Sequence, residues 1–206
     1  MSRIDERSLF DDINKIKAAC NTYIMRVIYF ELWEITSLPF KDQITYYRTR
    51  LAVCRNITSV ARINSILLDT LIGKNTRLVF QRLGKVVGET PHLGTASEST
   101  LQPAGIICVK RGMVLAVLDN KGHEEYLKPW DRVLLVAIQT ESLVVKPLTG
   151  EKMGLNLGIR RLIYPLNRRG DRHELGLQFP VLAAFAMLGS NADKDAMLTQ
   201  VSYHEG

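Results

Sequence analysis

Arginine is the residue type in this chain best placed to do chemistry. Arg48, Arg55 and Arg62 are spaced by seven. On one continuous helix that spacing forms a stripe, beside the apolar row Tyr47, Cys54 and Ala61. A row of guanidinium groups can track phosphates, which each group pairs in a bidentate fashion. The same spacing also suits residues that flank a helix seam and pair with carboxylates on the facing helix, with Asp11, Asp12, Glu31 and Glu34 as candidates.

A denser basic set follows near the C-terminal end: Arg160, Arg161, Arg168, Arg169 and Arg172. If residues 159–164 form a strand, Arg160 and Arg161 point to opposite faces. Arg168, Arg169 and Arg172 fall in an expected loop and can share a surface. Tyr126, Trp130 and Tyr164 are the aromatic residues nearest to them in sequence, as a base-stacking surface would require. The alternative is a solvated loop balanced by Asp171 and Glu174.

Other candidate chemistry is weak. The histidines at 92, 123, 173 and 204 have no metal-ligand spacing to one another or to a cysteine. Cys108 with His123 or His173 would make a nucleophile and base, but its apolar strand context favours an inert thiol. Gly73-Lys-Asn-Thr76 lacks the first glycine of a phosphate loop and has Asn at the Ser/Thr position. The adjacent acids Glu124 and Glu125 lie on an expected hairpin strand and face opposite ways, which suits no shared acid–base site. No GxGxxG, GxSxG or HExxH occurs. The reading is therefore of a protein that is not an enzyme and needs neither cofactor nor metal.

The elements that must position these residues change character along the chain. Leu9, Ile13, Ile16, Cys20, Ile24, Val27 and Leu32 recur at helical spacing, which predicts a helix from Ser8 to about Thr36. Pro39 breaks it. A second helix is expected from about Lys41 to Ile72, closed by Gly73, so that the two pack as an antiparallel hairpin. From residue 105 the period shortens. Strands are expected at 105–109, 113–118, 123–127, 132–138, 143–146 and 159–164, with Asp119-Asn-Lys-Gly122 as a hairpin turn. Pro180 to Leu188 reads as a short buried helix opened by proline. The fold class is thus α+β: an N-terminal antiparallel helical hairpin (1–75), a linker with short strands (76–104), a small antiparallel β-barrel or sandwich with a closing C-terminal helix (105–190), and a tail (191–206).

Composition places few further limits. The 206 residues are 46% hydrophobic and 23% charged, ordinary values for a globular chain. Net charge is +6, a mild tilt toward acidic partners. Residues 1–90 carry most of it, with 14 Lys/Arg against 9 Asp/Glu. Three scattered cysteines suggest no disulfide framework. Residues 1–7 lack the pattern of a signal peptide, and no apolar run is long enough for a membrane span. A cytoplasmic location follows as an expectation.

The leading functional reading is an adaptor or structural subunit of an intracellular assembly. It would bind a protein partner, or itself, through Ile24, Ile28, Trp33 and Ile35, which lie partly off the main helical stripe. The alternative is sequence-independent nucleic-acid binding through Arg48, Arg55 and Arg62 or through the arginines at 160, 161, 168, 169 and 172.

Overall fold

The computed structural model describes residues 32–86, 103–169 and 172–191. Among them a single-turn helix, α1 (Leu32–Ile35), is followed by two longer ones, α2 (Phe40–Arg48) and α3 (Ile57–Thr70). Twelve strands complete the described elements: β1 (Ala52–Cys54), β2 (Thr76–Val79), β3 (Gln81–Val86), β4 (Ile106–Val109), β5 (Val114–Val117) and β6 (Arg132–Ile138). The others are β7 (Ser142–Pro147), β8 (Leu157–Arg160), β9 (Leu162–Arg169), β10 (Arg172–Gln178), β11 (Val181–Ala183) and β12 (Ala186–Leu188).

The main body is an open five-stranded antiparallel sheet in the order β11-β5-β6-β7-β8. Its interior strand β5 is buried at every position, so it reads as a continuous apolar run and not as an alternation. A three-stranded sheet, β3-β10-β9, and two small pairs, β2-β4 and β1-β12, complete the architecture. No sheet among the described residues closes into a barrel. The expected barrel is therefore corrected to a set of open sheets.

The expected helical hairpin is also corrected. Of the first predicted helix, only the turn α1 lies in the described residues, and the chain bends at 36–38 immediately after it. The second predicted helix is two helices with a strand between them. Residues 52–54 pair in parallel with β12 in the register Ala52↔Ala186 to Cys54↔Leu188. Local periodicity cannot reveal that partner, which lies more than 130 residues away. The helical pattern resumes only after Asn56, whose Oδ1 accepts from the Ser59 N–H at 2.8 Å. Asn56 is thus the N-cap of α3 and not a mid-helix residue.

Helix α3 buries Val60, Ile63, Leu67 and Leu68, the i, i+3, i+7, i+8 stripe of a core-facing helix. Asn64 lies inside that stripe. Its Nδ2 donates to the Ala183 carbonyl at 2.9 Å and the Ala186 carbonyl at 3.0 Å. Its Oδ1 accepts from the Ala186 N–H at 2.8 Å. Those bonds fasten α3 to the link between β11 and β12.

That link corrects the predicted C-terminal helix. Residues 181–183 add to β5 as an antiparallel strand, while 186–188 add to β1. Phe185 between them is fully buried. A short all-apolar run carries no period, so helix and buried strand look alike from sequence. The expected return strand at 123–127 is likewise a series of turns, and the strand that follows β5 is β6.

Arg132, the first residue of β6, is buried at 4% exposure. Its guanidinium donates to the carbonyls of Ala184 (3.2 Å), Tyr47 (3.2 Å) and Arg50 (2.8 Å). Two of these acceptors cluster at the C-terminal end of α2, where a cation also meets the negative end of the helix dipole. The buried charge is thereby satisfied and holds α2 against the main sheet.

Candidate nucleic-acid interface

The β3-β10-β9 sheet positions most of the basic residues. β9 follows β8 after a single residue, Arg161, and changes sheet there. It then runs antiparallel to β10, and β10 runs antiparallel to β3. Gln178 secures the junction. Its Nε2 donates to the Leu78 carbonyl at 3.1 Å and the Ala104 carbonyl at 3.3 Å, and its Oε1 accepts from the Phe179 N–H at 3.0 Å. Leu162, Tyr164 and Phe80 form a small second core under this sheet. Gly176 is required there, because a Cβ at that position would overlap the Phe80 ring.

The register places cations side by side. Arg169 lies directly opposite Arg172, and Arg168 opposite His173. On the other edge Arg82 lies opposite Gly176, and Lys85 opposite Glu174. These three strands therefore carry Arg82, Lys85, Arg168, Arg169 and Arg172 against the single carboxylate Glu174. Like charges directly opposite on a sheet destabilise it, and an anion bound along the ribbon would relieve them.

The strand assignment corrects the expected loop at 168–172, and it joins those arginines to residues about 85 positions earlier. Sequence reasoning missed Arg82 and Lys85 for that reason, since neither lies in a charge run. Arg160 is exposed at the end of β8. The Arg161 guanidinium stacks on Phe179, 4.5 Å from the ring centroid, and donates to the Val79 carbonyl at 3.2 Å. It serves partly as a structural clamp.

The other predicted residues scatter. Arg48 is exposed in the last turn of α2, Arg55 is exposed between β1 and α3, and Arg62 is half-buried in α3. The helix break prevents a single stripe. Ile24 and Ile28 lie outside the described residues. Trp33 lies in α1, and Ile35 is buried at 8% exposure in the main core, which makes it no docking residue. Tyr164 is buried with its hydroxyl unpartnered, so it offers no stacking face. Burial pushes its pKa well above the ordinary tyrosine range, with Asp119 adding a smaller repulsion.

Trp130 is half-buried at a backbone φ of 76°. Tyr126 is exposed, with the Lys152 ammonium 5.2 Å from its ring centroid. Glu124 and Glu125 are exposed in a turn. The Gly122 N–H, donating to Glu124 at 2.9 Å, holds that carboxyl below its usual range. His123 Nε2 contacts the Gly158 carbonyl at 3.0 Å. Among the described residues no His/Cys/Asp/Glu group is arranged to hold a metal, and no helix is long and apolar enough to cross a membrane.

No family model and no curated protein matches the chain. Its structure does match solved ones. The fold is similar to that of Pif1 helicases. A Pif1 helicase from Candida albicans matches with a TM-score of 0.52 at 11% identity, covering 77% of this chain and 44% of that one. Pif1 from Bacteroides in complex with ADP-AlF3 and single-stranded DNA matches at 0.50 and 12% identity, covering 76% and 37%. A study of forked double-stranded DNA unwinding by two coordinating Pif1 helicases supplies a third match, at 0.50 and 13% identity, covering 76% and 35%. The chain thus spans less than half the length of the helicases it resembles. The matched structures are of helicases, which counts against the expected adaptor, and neither the structural-subunit nor the non-enzyme reading is retained.

Proposed function

We propose that these residues form the strand-gripping part of a helicase-type enzyme and that the β3-β10-β9 ribbon is the surface that holds nucleic acid. The observation that carries the reading is the register Arg169↔Arg172, with Lys85 opposite Glu174 two places further along β10 and so at positions of the same face. It concentrates positive charge on a small sheet in a fold similar to that of a Pif1 helicase bound to single-stranded DNA. Contact through backbone phosphates fits this arrangement better than base readout, because a ribbon of cations carries no sequence information.

The test is fluorescence anisotropy with mixed-sequence single- and double-stranded oligonucleotides at low and moderate salt. Binding that weakens as salt rises is expected, with preference for the single strand. Replacing Lys85, Arg169 and Arg172, which stand at positions of one face, by glutamine removes three phosphate contacts. It should reduce the log–log salt slope by about 2, at about 0.7 per contact for single strands. A chain that binds no oligonucleotide at low salt would refute the proposal.

A further inference from the structure

A groove separate from the ribbon runs along α3, between that helix and strands β4 and β11. Its volume is about 460 Å³, and among the described residues no charged side chain lines it. Helix α3 contributes Ile57, Ala61, Ser65 and Leu68, at i, i+4, i+8 and i+11. They form a second face of the helix, beside the stripe that enters the core. Strand β4 contributes Ile106 and Cys108.

Both sides of the groove leave a large apolar side chain open: Ile57 is 66% exposed and Ile106 45%. Contiguous apolar surface of this kind marks a place where another surface packs. The shape suits a helix, because Ile57 to Leu68 spans eleven residues of α3, about 16 Å along its axis.

The chain preceding α1 supplies a matching surface. Leu9, Ile13, Ile16, Cys20, Ile24 and Val27 recur at helical spacing, and Ile13 to Ile24 spans the same eleven residues. The place where the described chain starts also fits. Leu32 lies one turn before Thr36, and Thr36 lines one cleft with Ile72, just past the end of α3. Leu68, at the near end of the groove, is one turn before Ile72. Residues 25–31 reach about 23 Å when extended, several times the rise of one helical turn. Residues 88–102 lead to the groove at Pro103, but they carry no apolar period to fill it.

We propose that residues 9–27 dock their apolar face in this groove, with Ile24 toward Leu68 and Ile13 toward Ile57. The segment then lies parallel to α3 against a surface of helix and strand, unlike the antiparallel hairpin with residues 41–72 that the sequence suggested. The inference is independent of the nucleic-acid reading.

The experiment reads thiols in the full chain. Cys54 is buried at 3% exposure, so Cys20 on the segment and half-buried Cys108 in the groove are the informative pair. In a Cys20→Ser background, Cys108 should react slowly with dithionitrobenzoate. Adding Ile16→Asp and Ile24→Asp should speed it by about tenfold or more, since losing one buried isoleucine weakens docking by about that factor. An unchanged Cys108 rate overturns the proposal. Cys54 reports the fold, because it becomes reactive only if the variant unfolds. In that case a short bismaleimide on the parent chain at low concentration decides. A Cys20–Cys108 bridge within one chain, absent in Cys20→Ser, upholds the docking, and no bridge overturns it. Bridges that join two chains and grow with concentration also overturn it, by seating a second copy in the groove.

Discussion

Replacing Asn64 by alanine tests the strand assignment at the C-terminal end of the described residues. Three hydrogen bonds join that side chain to the link between β11 and β12. Alanine removes all of them and leaves the Ala186 N–H, which bonds Asn64 Oδ1, without that acceptor in a buried setting. One buried group left unmet costs about 1–3 kcal/mol. With the two carbonyls partly satisfied elsewhere, a loss of about 2–4 kcal/mol is expected on that scale. For a chain of this size that lowers Tm by about 4–16 °C, at about 2–4 °C per kcal/mol. Asn64→Asp separates geometry from chemistry. The carboxylate still accepts from the Ala186 N–H but turns an acceptor toward two carbonyls, so its folded pKa rises above the unfolded value near 4. Below that unfolded value its stability is fully present. It is lost as pH rises through the folded value, so Asn64→Asp should be most stable in mild acid. Thermal melts and urea titrations at several pH values measure both. An alanine variant within 0.5 kcal/mol of the parent, the ordinary range of surface changes, would show that α3 is not tied to β11 and β12 in this way.

Other substitutions probe the rest of the frame. Arg132→Met should destabilise by about 2–4 kcal/mol, because the carbonyls of Ala184, Tyr47 and Arg50 lose their donor and an unmet buried group costs about 1–3 kcal/mol, and urea denaturation would report it. Gly176→Ala forces a Cβ into the Phe80 ring and should cost at least the 1–3 kcal/mol of ordinary overpacking. Adding Phe80→Ala should recover part of that loss, which a double-mutant cycle in urea would measure. Tyr164→Phe deletes a buried hydroxyl that has no partner and should be neutral or slightly stabilising. Because Tyr164 has a raised folded pKa, its contribution is fully present below the unfolded value of about 10 and fades as pH rises above it. The phenylalanine variant should therefore lose less stability than the parent between about pH 10 and 12.

Much of the local order was legible in the sequence, and most of the long-range order was not. The strands at 106–109, 114–117, 132–138 and 142–147 follow from apolar runs between turn residues. The α3 stripe from Val60 to Leu68 follows from helical spacing. Three readings failed for one physical reason: a pairing partner distant in sequence outweighed the local pattern. Ala52–Cys54 left a helical period to join β12. Val181–Leu188 carried no period at all and divided between β5 and β1. Arg168, Arg169 and Arg172 were read as a loop because the alternation of β9 and β10 is broken by Pro165 and Gly176, and the register shifts near both. The arginine set at 160–172 was visible as charge. Its junction with Arg82 and Lys85 needed the sheet order.

That junction supports a ligand-bearing surface over a passive one. A solvated charge run in a loop spreads its cations and incurs little repulsion. Here two antiparallel strands set Arg169 opposite Arg172 and Arg168 opposite His173, and Glu174 is paired with Lys85 on the far strand. The like-charged pair Arg169↔Arg172 opposes hairpin formation by an amount comparable with the roughly 0.2–1 kcal/mol that favourable cross-strand pairs contribute. A strand of phosphates reverses the sign of that term, because the same register then offers paired cations to a polyanion. The hairpin should consequently be better ordered with an oligonucleotide bound than without one. Slower amide exchange at residues 166–169 and 172–174 in the complex would show it, and unchanged exchange on saturation would place the nucleic acid elsewhere.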